Sequence, residues 1–104
     1  MDMTKKLPPM HPGEVLREEF LLPLKMSPGK LAKACGLPRT RIERIANEQT
    51  GVTADTALRL GRALKTTGDF WMNLQNRYDM QVAAREIGSA LNKIKPLIDE
   101  DKAA

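Results

Sequence analysis

Between Pro28 and Ala46 the chain reads PGKLAKACGLPRTRIERIA, and few backbone paths suit that string. Ser27 before it suits a helix N-cap, and Pro28 fits a first helical turn, where no N–H is needed. Gly36 tolerates the positive φ of a tight helix end, and Pro38 opens a second helix. Leu31 and Cys35 share one face of the first segment, Ile42 and Ile45 share one face of the second, and Leu37 fills the corner. Helices crossing at about 90–120° need a small side chain where their backbones meet, and Ala32 supplies it. Seven positions thus agree with one geometry, a helix-turn-helix.

The flanking sequence punctuates into more helices and shows no strand alternation, so the expected fold is all-α with five helices. Residues 1–10, with Pro8-Pro9, read as a flexible arm ahead of a domain spanning 11–80. A first helix starts near Pro12, carries Val15, Leu16, Phe20 and Leu24 on one face, and ends at Pro23. Asn47–Gly51 is a loop. Thr53 caps a fourth helix with Ala57, Leu60 and Leu64 inward, and Thr66-Thr67-Gly68 breaks the chain before a long last helix near Asp69. Residues 81–104 form a helical extension and tail. From Met80 apolar residues recur at Ala84, Ile87, Leu91, Ile94 and Ile98, a heptad-like seam. Gly88 weakens that helix and Pro96 ends or kinks it.

Charge is unevenly placed. The net charge is +4, yet residues 27–65 alone carry +5, residues 1–26 carry 0 and residues 66–104 carry −1. Positive charge concentrated on one motif attracts polyanions. The outward face of the second helix of the pair holds Arg39, Thr40, Arg41, Glu43 and Arg44. Arginine can pair bidentately with guanine, threonine can meet a polar edge or a thymine methyl, and glutamate can accept from cytosine. Arg39, Thr40, Glu43 and Arg44 are therefore candidate base readers. Ser27, Lys30, Lys33, Arg41 and Thr53 are candidate phosphate contacts, with Arg41 and Arg44 able to serve either role.

The remaining chemistry points away from catalysis. One histidine, His11, and one cysteine, Cys35, cannot build a zinc site. His11 reads as a cap or packing residue at the first helix, and Cys35 as core packing. Glycine-loop, nucleophile–base and metal-ligand patterns are missing, so neither enzyme activity nor a cofactor is expected. No apolar run approaches the roughly 20 residues of a membrane span, and a single cysteine suits a reducing cytoplasm. Phe70, Trp71, Leu74 and Tyr78 lie on one side of the last helix, which suits either the core or a dimer contact. Ile87 and Leu91 extend that candidate interface.

The words HPGEVLREEF (11–20), LAKACGLPRTRIERI (31–45), VTADTALRLGRAL (52–64) and FWMNLQNRYDM (70–80) resemble the HigA, or VapI-like, antitoxins. That group is a branch of the Xre/lambda-repressor helix-turn-helix family. The resemblance implies a lambda-repressor-like fold and a homodimer on inverted-repeat operator DNA, with helix 38–47 of each protomer entering grooves about 34 Å apart. It also implies a HigB-type, RelE-like mRNA-cleaving toxin as partner, with repression of the shared operon. The chain departs from the family at Ser27-Pro28, where Ser-Gln is common, so a side-chain phosphate contact is lost there. It departs again at the NEQTG loop, where the family is richer in glycine. A stand-alone repressor and a protein-binding adaptor on the same fold stay open as alternatives.

Overall fold

His11 begins the ordered helical part of the computed structural model, which describes residues 8–98. Most of the expected arm, residues 1–7, and the acidic tail from Asp99 lie outside the described residues. The imidazole Nδ1 of His11 accepts the Gly13 N–H at 2.9 Å, and Pro12 fills the first position of α1, Pro12–Val15. This is the capping role expected of His11.

The helix then widens into a π-helical segment, Leu16–Leu21, whose carbonyls are reached five residues on: Leu22 N donates to Arg17 O and Met26 N to Leu21 O. Wider turns change which side chains align. Leu16 and Leu21, five apart, are buried, whereas Phe20 is half-buried and Leu24 is exposed. The four-residue spacing expected for Leu16, Phe20 and Leu24 is corrected accordingly.

The pair at the centre follows its sequence closely. Ser27 caps α2, Pro28–Cys35, by accepting the Lys30 N–H at 3.1 Å. Gly36 turns the chain at φ 69°, and Leu37 N donates back to Ala32 O at 2.9 Å, a Schellman closure that satisfies an end carbonyl. Pro38 then precedes α3, Arg39–Ala46. Leu31, Ala32, Cys35, Ile42 and Ile45 are all buried and belong to one core cluster.

Thr53 caps α4, Ala54–Leu64, and Thr67 caps α5, Gly68–Ile87. These two helices pack along each other, with α5 closing the core. Trp71 is fully buried, and its indole N–H donates to Thr66 Oγ1 at 2.8 Å. An indole with both its ring and its polar atom satisfied anchors a core that has few other aromatics; removing such a side chain costs about 3–5 kcal/mol. Among the described residues there are no strands, and no helix is long and apolar enough to cross a membrane.

The last helix ends earlier than its apolar spacing predicts. Gly88, at φ 54° and ψ −133°, terminates α5, and only a 3-10 segment, Gly88–Lys93, follows. Ile87, Leu91, Ile94 and Ile98 therefore do not share one helical face. All four are exposed.

Candidate nucleic-acid interface

Gly13 explains why α3 stands where it does. A Cβ on Gly13 would sit 1.7 Å from the carbonyl oxygen of Ile45, so only glycine lets α1 seat against the last turn of α3. From the same helix, the Arg17 guanidinium donates to the carbonyl of Ala46 and lies 3.2 Å from Glu48 Oε2. Both contacts hold the inner side and the C-terminal end of α3. Its outer side stays free.

On that outer side Arg39, Thr40, Arg41 and Arg44 are exposed, and Glu43 is half-buried. Arg39 Nε faces Glu43 Oε2 at 3.7 Å, one helical turn on, with 70% and 42% of the two side chains exposed. Such an open pair contributes under about 1 kcal/mol, so both groups remain available to a ligand. The Arg39 stem lies against Gly29, where an added Cβ would be 3.3 Å from its Cδ. The starts of α2 and α3 therefore meet, with the Arg39 stem beside Gly29.

A cleft of about 330 Å³ runs between α3 and the loop leading to α4. Thr40, Arg41, Arg44 and Thr53 line it, together with Thr50 and Gly51. No lining residue carries a carboxylate, so two guanidinium groups and several hydroxyls face one concave surface. Thr53 also accepts the Thr56 N–H at 3.4 Å, which orders the first turn of α4. Lys33 is exposed on the last turn of α2 and does not line the cleft.

Three contributors escaped the sequence reading. Thr50 and Gly51 sit in a loop that composition marks only as irregular. Gln75, buried on α5, fixes that loop by accepting the Val52 N–H at 2.6 Å. A second Schellman-type closure, Gln49 N to Arg44 O at 2.8 Å, ends α3 with Glu48 at φ 61°. Glutamate occupies a left-handed position that glycine would take freely. Its carboxylate compensates through Arg17.

The proposed dimer contacts fare unevenly. Trp71 is removed from that set, because its surface is spent inside its own chain. Leu74 and Tyr78 are half-buried; Leu74 packs on the core, and the Tyr78 ring meets His11 edge-on at 4.8 Å. Phe70 is 38% exposed and packs its edge against Trp71. Cys35 is buried as expected, though a cation lies close by: Arg59 donates to the Cys35 carbonyl at 2.8 Å. Burial nonetheless dominates and raises the thiol pKa.

A helix-turn-helix family model matches residues 16–71. The chain is 46% identical over 92 residues to virulence-associated protein I of Dichelobacter nodosus, covering 88% of this chain and 84% of that protein. With antitoxin HigA-1 of Vibrio cholerae it shares 33% identity over 97 residues, 93% of this chain and 90% of the other. It superposes on the Pseudomonas aeruginosa antitoxin HigA, solved with the higBA promoter, at a TM-score of 0.82 and 43% identity, covering 86% and 99% of the two chains. The chain belongs to the HigA antitoxin family. The five-helix HigA architecture expected from the four sequence words is the one observed, including the long last helix.

Proposed function

We propose that this protein is a DNA-binding antitoxin: it binds inverted-repeat operator DNA as a homodimer, represses its own operon and neutralises a HigB/RelE-like mRNA-cleaving toxin. The observation that carries the DNA part is the cleft beside α3, lined by Arg41 and Arg44 together with Thr40, Thr50 and Thr53 and with no carboxylate among them. That chemistry suits phosphate oxygens, and the adjoining exposed helix start suits base edges.

In this reading Arg39, Thr40, Glu43 and Arg44 read bases. Ser27, Lys30, Lys33, Arg41 and Thr53 hold phosphates, and Thr50 joins them. The toxin follows from the relatives' names, antitoxin HigA-1 and antitoxin HigA with its higBA promoter. A cytoplasmic protein that works by binding, with no cofactor and no catalysis, accords with both.

A gel shift on the fragment upstream of the protein's own reading frame tests the first part, with a scrambled fragment as control. Retention of the native fragment at about 1,000-fold lower protein than the scrambled one is expected, the lower end of the range that separates specific from non-specific binding. Equal retention would contradict operator recognition. Co-expression with the neighbouring reading frame tests the second part: growth arrest by that frame alone, relieved by this protein in a stable complex, is the expected result.

A further inference from the structure

Gln75 is a polar side chain buried on α5, and both ends of its amide are used. Its Oε1 accepts the Val52 N–H at 2.6 Å, and its Nε2 donates to Asp79 Oδ1 at 2.9 Å, one helical turn on. The bond to Asp79 occupies the nitrogen and leaves the oxygen for Val52. The Gly51 backbone lies against the amide itself: a Cβ there would stand 2.8 Å from Oε1 and 3.0 Å from both Cδ and Nε2.

Val52 is the centre of a short run that reaches the α3 cleft on either side. Thr50 and Gly51 before it and Thr53 after it all line that cleft, together with Arg41 and Arg44. The Val52 side chain is part of the core, so the run stays attached to the fold without the amide. What the amide adds is the direction of the backbone at Gly51 and Val52, and a glycine has little conformational preference of its own to hold it.

Residues 47–51 carry no cation. A lysine or arginine on phosphate strengthens binding to any duplex by releasing counterions. A hydroxyl or backbone N–H on phosphate releases none. Its contact fixes where the duplex lies, which matters only to a complex with one register. Arg41 and Arg44 thus supply attraction to any DNA, and the loop supplies alignment.

We propose that Gln75 is a positioning residue for operator recognition: itself buried, it holds Thr50, Gly51 and Thr53 at the spacing from α3 that seats a specific duplex. The inference rests on the reading of this protein as an operator binder. It adds to that reading a residue from a helix outside the helix-turn-helix.

Titrations of the full chain with the operator fragment and with a random duplex, at several salt concentrations, test it. Gln75→Ala is expected to weaken operator binding roughly tenfold, about the worth of one specific contact. Random-DNA affinity and the salt slope are expected to stay at their wild-type values, since no cation is lost. Gln75→Glu is expected to recover most of the loss: beside Asp79 its buried carboxyl favours the protonated form, which keeps both an acceptor and a donor. Gly51→Ala pushes the loop off the same amide and is expected to weaken operator binding to a similar degree. In the Gln75→Ala, Gly51→Ala double variant the two losses should not add, because both act through one contact.

Additive losses would overturn the proposal, and so would a Gln75→Ala protein with the wild-type ratio of operator to random affinity. Equal losses on both DNAs would also overturn it, because a merely destabilised fold gives that result. Where Gln75→Ala does not fold, Gly51→Ala and Gln75→Glu carry the same readout. A wild type that binds both DNAs alike sinks the operator reading and this inference with it. A wild type that prefers its operator, with variants that keep the preference, removes the role of Gln75 alone.

Discussion

The buried side-chain carbonyl of Gln75 accepts the backbone N–H of Val52 at 2.6 Å, tying the last helix to the loop beside the α3 cleft. The Gln75 amide is itself held, donating to Asp79 Oδ1 at 2.9 Å. Gly51 completes the fit, since a Cβ there would come within 2.8 Å of the Gln75 oxygen.

Replacing Gln75 by leucine leaves the buried Val52 N–H without an acceptor. Such an orphaned group costs about 1–3 kcal/mol. Urea unfolding of Gln75→Leu should show that loss, and amide exchange at Val52 should quicken. An unchanged midpoint and unchanged protection would mean the loop is held by something else.

Arg17 and Glu48 predict an asymmetric pair of effects. Arg17→Ala removes a charged donor from the Ala46 carbonyl and should lower stability by about 1.5–3 kcal/mol. Glu48→Gly also loses a part-exposed ion pair, worth under about 1 kcal/mol, but it relieves a left-handed residue, worth about 1–2 kcal/mol. Its net change should stay near zero. A loss on Glu48→Gly as large as that on Arg17→Ala would contradict this partition.

His11 makes stability depend on pH. Its Nδ1 accepts the Gly13 N–H, which only the imidazole with an unprotonated Nδ1 can do. Burial lowers its pKa below 6.5, outweighing Glu48 and Asp79, which raise it. A depressed folded-state pKa means the folded form binds the proton less readily than the unfolded chain. The contribution is therefore complete above 6.5 and is lost as pH falls through the folded value. Thermal unfolding from pH 7.5 to 5 should show a decline that His11→Asn, which keeps a capping acceptor, flattens. A parallel decline in the variant would remove His11 as its source.

Ending the chain after Ile87 should leave fold and association intact. None of the residues 88–98 is buried, and exposed segments of this kind change stability by under about 0.5 kcal/mol. The truncated protein should sediment as a dimer with the wild-type dissociation constant. A monomer would restore the C-terminal segment as the interface.

What could be read from the sequence was chiefly local. Ser27, Pro28, Gly36 and Thr53 act on backbone within a few residues of themselves, and their capping and turning roles follow from residue type. Candidate DNA contacts were legible for a related reason: Arg39 to Arg44 occupy one short helix whose other face is aliphatic. The missed parts act over distance. Gln75 meets Val52 across 23 residues, and Arg17 meets Ala46 across 29. Spacing arithmetic assumes a regular helix, so it failed where the helix is irregular, at the π-helical segment from Leu16 and at the positive φ of Gly88. Trp71 was ambiguous because an apolar stripe suits a core or a partner equally, and only burial separates the two.

The central claim is that the outer face of α3 reads DNA sequence, and paired titrations of Arg39→Ala and Thr40→Ala against operator and random DNA test it most directly. Each substitution should weaken operator binding by about 1–3 kcal/mol per specific contact while leaving affinity for random DNA nearly unchanged. Equal losses on both DNAs, or no loss on either, would contradict it.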